Sequence, residues 1–156
     1  FGSDAKSVLE VGCANDPILK HIDWIDHRRC AAPDFVNYDG KKSKDSSSSN
    51  SALQFTMADF NTWEPDRKYD LLLCSQVAEH VPDPGAFVKK LVSTARTSII
   101  SVPYMWPKVG KKANHLTDFI DLDMVLNWTK PLKPVLSAIV EEDGGRPRLI
   151  TVFVQT

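Results

Sequence analysis

The chain has 156 residues and a formal net charge of −1, with 42% hydrophobic and 25% charged residues. These values are close to the average of globular domains and predict a single domain over residues 1–156. The small net charge does not favour nucleic acid or a membrane surface as partner, and no apolar run approaches the about 18 residues of a membrane span.

The ends and the cysteines carry little functional information. The first residues, FGSDAKS, lack a basic-then-apolar signal segment and resemble the cut edge of a longer polypeptide. Cys13, Cys30 and Cys74 are odd in number and lack metal-ligand spacing, so we predict small buried thiols in a reducing, cytoplasmic compartment. A nucleophilic cysteine is the alternative.

Strand-like and helix-like segments alternate along the chain. Strand-like runs lie at 7–11, 21–25, 53–57, 69–74, 97–102, 135–140 and 148–154. Several of them are continuous apolar runs, typical of strands covered on both faces. Asp83-Pro84 begins a helix whose apolar stripe runs to Ala95, and Asp121 begins a second. Asp143-Gly144-Gly145 predicts a hairpin. We therefore predict an α/β fold with a doubly wound, mostly parallel sheet, helices on both faces and a C-terminal antiparallel hairpin.

Two connections are unusual. Only ten residues separate Val11 from Ile22, so the first crossover has room for one or two helical turns, capped by Asp16 and begun by Pro17. Residues 40–52, GKKSKDSSSSNSA, are polar and of low complexity, and they predict a mobile surface loop.

Ligands of open α/β sheets bind beyond the carboxyl ends of the strands, which makes the residues there the candidate binding residues. In chain order these are Glu10, Gly12, Cys13, Ala14, Asp26, Asp59, Phe60, Ser75 and Gln76.

The segments VLEVGCANDP, ADF and YDLLLCSQVAEHVPDPGAFVKKL, followed by SIISVP, together resemble the class I S-adenosylmethionine-dependent methyltransferases. The resemblance implies a seven-stranded sheet, S-adenosylmethionine as cofactor, and a subset with a reduced first helix. Where the family usually has three glycines at alternate positions, this chain has Gly12, Ala14 and Asp16. A loop that binds a dinucleotide must admit a bulky pyrophosphate, so the missing glycines disfavour a dinucleotide. S-adenosylmethionine has no phosphate, so its binding tolerates Ala14 and Asp16.

The adenosyl group defines the first set of roles. Gly12 lets the backbone approach the ligand. Asp26, expected to end strand 2, would accept both ribose hydroxyls, with Asp23 as the alternative. Asp59 would accept the adenine amino group with Phe60 against the ring, or would only cap a turn.

The methionine portion of the cofactor defines the second set. Ser75 and Gln76 would hold it, beside the loop of Cys13 and Ala14. Glu10 would hold that loop or the ligand's ammonium group through charge-assisted hydrogen bonds.

His115 and His80 are the catalytic candidates. His115 is expected to act as general base for a hydroxyl acceptor, unless it only bonds neighbouring backbone. QVAEH is similar to the Glu-x-x-Glu-His pattern of metal-dependent members, but Gln76 is a poorer ligand than an acid. We expect no metal; a partial site of Glu79, His80 and His115 is the alternative.

The function expected from these residues is in-line transfer of a methyl group to an oxygen of a small-molecule or saccharide-like acceptor. Residues 103–118 would cover the cofactor, with Tyr104 and Trp106 flanking the acceptor. Nucleic acid is disfavoured because no basic stripe with aromatic residues occurs. The acceptor's identity and the oligomeric state stay open. A non-catalytic binding or interaction module on the same fold is the alternative, prompted by Ala14, Asp16 and Gln76.

Overall fold

The computed structural model describes residues 4–13, 17–32, 53–106, 114–142 and 145–155, which contain a seven-stranded sheet in the order β3-β2-β1-β4-β5-β7-β6. The first five strands pair in parallel, and β7 is antiparallel to both β5 and β6. The strands are β1 Ser7–Val11, β2 His27–Ala32, β3 Gln54–Met57, β4 Tyr69–Ser75, β5 Ala95–Pro103, β6 Leu136–Glu142 and β7 Arg146–Val154. The predicted parallel sheet with a terminal antiparallel hairpin is confirmed. The predicted loop 40–52 and the turn residues Asp143 and Gly144 lie outside the described residues.

Both predicted helices are present. Helix α1, Pro84–Thr94, begins where Asp83 Oδ1 accepts a hydrogen bond from the Ala86 amide (2.9 Å). Helix α2, Leu122–Thr129, begins in the same way, with Asp121 Oδ1 accepting from the Met124 amide (2.8 Å). Neither helix, nor any other helix in the described part of the chain, is long and apolar enough to cross a membrane.

The core has two parts, one on each face of the sheet. On one face, α1 and α2 bury Phe87, Leu91 and Val125 with residues of the central strands such as Leu72 and Ile100. The other face buries a smaller cluster, made by β1, β2, β4 and the short first crossover. The central strands are therefore covered on both sides, as their continuous apolar runs predict.

The cysteines belong to this core. Cys13, Cys30 and Cys74 are all free and buried. Burial raises the pKa of the Cys74 thiol, which stays protonated at neutral pH. The cysteines are thus small buried side chains, and the alternative of a nucleophile finds no support.

The predicted position of strand 2 was wrong. Residues 21–25 are the end of a 3₁₀ helix and a loop, and β2 begins only at His27. Ile25 is nevertheless buried, because the loop itself packs into the smaller core cluster. Arg28, near the start of β2, donates to the carbonyls of Leu19 (3.2 Å) and Ile22 (2.9 Å) and ties that loop to the strand.

The first crossover is short, as predicted. It contains one 3₁₀ helix, Ile18–His21, of four residues. The carboxylate of Glu10, which is buried in β1, accepts hydrogen bonds from the amides of Ile18 (3.1 Å) and Leu19 (3.0 Å). An acid in the strand thus satisfies amides that a capping residue would otherwise bind. The expected cap, Asp16, lies outside the described residues.

Candidate functional site

The carboxyl ends of the parallel strands meet at one edge of the sheet. The Gly12 amide, just after β1, donates to the Ala31 carbonyl in β2 (2.8 Å). The Ala58 amide, just after β3, donates to the Ala32 carbonyl (2.8 Å). This register brings the first residues beyond β1, β2 and β3 side by side, which is where open α/β sheets bind ligands.

Gly12 has a backbone conformation and a position that favour glycine. Its φ is +78°, in the left-handed region, and an added Cβ would lie 2.3 Å from Cγ2 of Val77. Val77 belongs to the segment after β4, so Gly12 allows the segments beyond β1 and β4 to touch. The sequence predicts that this glycine admits a ligand, whereas the structure adds contact with a neighbouring segment.

The end of β4 carries polar side chains in a strained turn. Gln76 has a φ of +56°, which is uncommon for a residue with a side chain. Its Nε2 donates to Ser101 Oγ (3.4 Å), and the hydroxyls of Ser75 and Ser101 share a hydrogen bond (2.9 Å). Backbone strain of this kind concentrates at functional sites. No sequence pattern predicts the left-handed turn at Gln76. None marks Ser101, which pairs with Ser75 in the sheet, as a site residue either.

The third strand end agrees only in part with expectation. Asp59 is exposed, and its Oδ1 accepts from the amide and the side-chain amide of Asn61 (both 2.9 Å). It thus caps a turn while lying at the binding edge. Phe60 is buried and packs edge-on against Phe87 (centroids 5.7 Å apart). The expectation that Phe60 offers a face to adenine was wrong, because the ring is part of the core.

Asp26 is a second correction. It precedes β2, whose first residue, His27, lies opposite Ser7 at the start of β1. Asp26 is therefore at the amino end of the sheet, opposite to the edge that carries Asp59. The expectation failed because it depended on a strand ending at residue 25.

Two other candidates add little. The side chain of Cys13 is buried in the smaller core cluster, so only its backbone is available to a ligand. Ala14 lies outside the described residues.

Glu79, His80 and His115 form a cluster beyond the end of β4. One ligand-type atom from each residue lies within 4.8 Å of the others. His80 Nε2 is 3.8 Å from Glu79 Oε1, and its Nδ1 donates to the Asn114 carbonyl (2.9 Å). The Leu116 amide donates to the Glu79 carbonyl (2.7 Å), which fixes the segment around His115 against the segment after β4.

Burial controls the charge of this cluster. It raises the pKa of the Glu79 carboxyl, whose Oε2 has no hydrogen-bond partner among the described residues. The pKa of His115 is lowered, first by burial and then by the positive charge on His80. His115 is therefore neutral at pH 7 and can accept a proton.

The same atoms are ones that a divalent cation accepts, namely one carboxylate oxygen and two imidazole nitrogens. Gln76, which stands where the metal-dependent pattern has an acid, is neutral and directs its Nε2 to Ser101. Bound there, a cation would polarise an acceptor hydroxyl.

Comparison with known proteins identifies the family. The family model described as "Methyltransferase domain" matches residues 2–103, more than half of the chain. The chain therefore belongs to the methyltransferase domain family, and the resemblance to class I S-adenosylmethionine-dependent methyltransferases is confirmed. No curated protein matches the chain.

Solved structures with the same fold include three methyltransferases. The magnesium protoporphyrin IX methyltransferase ChlM from Synechocystis PCC 6803, with bound SAM, is 15% identical, with a TM-score of 0.69 over 96% of this chain and 70% of that one. The N-methyltransferase NodS from Bradyrhizobium japonicum WM9, in complex with S-adenosyl-L-homocysteine, is 12% identical, with a TM-score of 0.70 over 97% and 78%. The 1,6-didemethyltoxoflavin-N1-methyltransferase from Burkholderia thailandensis is 18% identical, with a TM-score of 0.68 over 97% and 71%.

Proposed function

We propose that this chain binds S-adenosylmethionine beyond the carboxyl ends of β1, β3 and β4 and transfers its methyl group to a hydroxyl of a small-molecule or saccharide-like acceptor. The observation that carries the proposal is the left-handed Gly12, packed against Val77 at the edge that also presents Asp59 and Gln76. The family assignment and the neighbours with bound SAM or S-adenosylhomocysteine support the choice of cofactor.

In this proposal the cofactor lies across the strand ends. The backbone of Gly12 and Cys13 and the polar groups of Ser75 and Gln76 hold the methionine portion. Oδ2 of Asp59 accepts a hydrogen bond from the adenine amino group, while Oδ1 keeps its hydrogen bonds to Asn61. The ribose acid is expected just after β2, and the first carboxylate after Ala32 in the sequence is Asp34, which lies outside the described residues.

The acceptor is proposed to lie beside the cluster of Glu79, His80 and His115. The acceptor oxygen attacks the methyl carbon, the bond from carbon to sulfur breaks, and S-adenosylhomocysteine leaves. The hydroxyl proton passes to neutral His115. The ring of His80 borders His115, with centroids 4.8 Å apart, and limits how its imidazole can turn. The small-molecule ligand in the Burkholderia neighbour supports an acceptor of similar size.

Calorimetric titration of S-adenosylmethionine into purified protein tests the cofactor site. Asp59→Asn keeps the turn but exchanges a charge-assisted hydrogen bond for a neutral one, so we expect about fivefold to tenfold weaker binding. Asp26→Asn is the matched control, and binding should stay within about twofold of the wild type because Asp26 lies at the other end of the sheet. Absence of binding by the wild type, or a larger loss with Asp26→Asn, would contradict the proposal.

Methyl transfer is proposed to need no metal, since Gln76 is neutral and the cluster of Glu79, His80 and His115 offers a single carboxylate. We expect dialysis against EDTA to leave the rate of S-adenosylhomocysteine release unchanged, with added Mg²⁺ or Mn²⁺ having no effect. A rate that is lost on chelation and restored by either ion would show that the cluster works as a cation site.

The hydroxyl preference has its own assay. A panel of phenols and hexopyranosides is compared with the corresponding amines, and release of S-adenosylhomocysteine is measured. Turnover of hydroxyl compounds alone supports a base-assisted O-methyltransferase. Turnover of amines alone would reject the choice of acceptor atom, and binding without turnover of any compound would favour the non-catalytic module.

A further inference from the structure

We infer that Trp106 and Arg146 are positioning residues that fix the imidazole of His115 for the reaction proposed above, on which the inference rests. The ring of His115 is enclosed by two other rings. His80 meets it edge-on, with centroids 4.8 Å apart and an interplanar angle of 80°. Trp106 stacks on it, with centroids 6.3 Å apart and an angle of 25°. Both separations lie in the range of attractive aromatic pairs.

Trp106 is itself held in place by the β6–β7 hairpin. Its Nε1 donates to the Pro147 carbonyl (2.7 Å), and the guanidinium carbon of Arg146 lies 5.2 Å from the centroid of its ring. Its carbonyl accepts from the Phe119 amide (3.1 Å). The indole therefore has contacts on its edge, its ring face and its backbone, and these leave it few alternative rotamers.

The backbone around His115 is fixed from the other side of the cluster. The carbonyl of Asn114 accepts from His80 Nδ1, and the amides of Leu116 and Thr117 donate to the Glu79 carbonyl. The segment after β4 thus fixes where the His115 chain runs, while the indole fixes how its ring turns. Trp106 is thus inferred to position His115, in place of the expected role of flanking the acceptor.

Orientation matters because the general base must reach the hydroxyl proton while the acceptor oxygen is aligned with the carbon–sulfur bond that breaks. Misplacement by about 1 Å can cost about a hundredfold in rate. A neutral imidazole that turns freely is still a base, but it spends less time in the productive geometry. Loss of the contacts that Trp106 and Arg146 provide should therefore lower kcat and leave cofactor binding intact.

The test compares Trp106→Leu and Trp106→Phe with Trp24→Leu, which removes an indole that is 67% exposed and far in sequence from the cluster. NMR spectra follow the His115 ring proton, assigned by its loss in His115→Gln, and calorimetry follows S-adenosylmethionine binding. We expect Trp106→Leu to move the ring proton toward its unfolded position, to lower kcat about tenfold to hundredfold and to keep the cofactor's Kd within about twofold. Trp106→Phe, which keeps a face but loses the bond to Pro147, should be intermediate, as should Arg146→Met.

The result that overturns the inference is a Trp106→Leu protein, folded by circular dichroism, whose His115 resonance and kcat match those of Trp24→Leu. The NMR measurement needs neither cofactor nor acceptor. If the protein never binds S-adenosylmethionine but Trp106→Leu still shifts the His115 resonance, the proposed function is rejected. The positioning of the His115 ring by Trp106 is then retained.

Discussion

Replacing His115 by alanine is expected to lower kcat by about a hundredfold to ten-thousandfold, the range that a positioned general base contributes. The Kd for S-adenosylmethionine should stay within about twofold, because the proposed cofactor contacts are at Gly12, Asp59 and Gln76. His80→Gln should cost less, since His80 borders the base and does not take the proton. Steady-state rates and calorimetry on the same preparations measure both effects. An unchanged kcat in His115→Ala would reject its catalytic role.

The pH dependence of kcat is a second test of His115 as the general base. The pKa of His115 lies below the usual value for histidine, because burial and the charge of His80 disfavour its protonated form. Only the neutral ring accepts a proton, so the rate should fall as the pH drops through that pKa and should be level above it. The acid limb of kcat is thus expected below about pH 6.5. An acid limb above pH 7, or one that persists in His115→Ala, would point to another group.

The second large effect is expected at Gly12. In Gly12→Ala, alanine must adopt a left-handed conformation, which costs roughly 1–2 kcal/mol, and its Cβ would lie 2.3 Å from Cγ2 of Val77. The segments beyond β1 and β4 must then separate. We expect the affinity for S-adenosylmethionine to fall more than about tenfold, and the Tm to fall by at least about 2–4 °C for each kcal/mol lost.

The chain contains a matched control for this substitution. Gly145 has a φ of +71°, but an added Cβ would meet nothing within 4 Å. Gly145→Ala should therefore lower the Tm through backbone strain alone and leave cofactor binding unchanged. In Gly12→Ala combined with Val77→Ala, the colliding methyl groups are gone, and part of the binding should return. Equal loss of binding in Gly12→Ala and Gly145→Ala would contradict the proposed contact between the two strand ends.

Most of the sheet could be predicted from the sequence, and the exception has a physical cause. Strands β1 and β4 are buried on both faces, and most of their residues are apolar. Strand β2 begins with the polar residues His27, Arg28 and Arg29, so no apolar run marks its start. The Arg28 side chain bonds to the preceding segment and that of Arg29 to β3. Of the apolar residues at 21–25, Ile25 is buried in a loop, Ile22 is partly buried and Trp24 is exposed, so the apolar run marks no strand. The expectation of a ribose acid at Asp26 depended on a strand at this place.

The site was predictable where it depends on strand ends and not where it depends on tertiary contact. Gly12, Asp59 and Gln76 lie at the expected edge because a strand's end follows from its apolar run. The burial of Phe60 against Phe87, the left-handed turn at Gln76 and the stacking of Trp106 on His115 depend on segments distant in sequence. No local pattern encodes them.

A crystal structure with S-adenosylhomocysteine bound tests the adenosyl-site geometry most directly. The sulfur is expected between Gly12 and Gln76, with the adenine amino group toward Asp59 and the open side of the sulfur facing His115. Adenosine bound at the amino end of the sheet near Asp26, or a sulfur whose open side faces away from His115, would contradict this account.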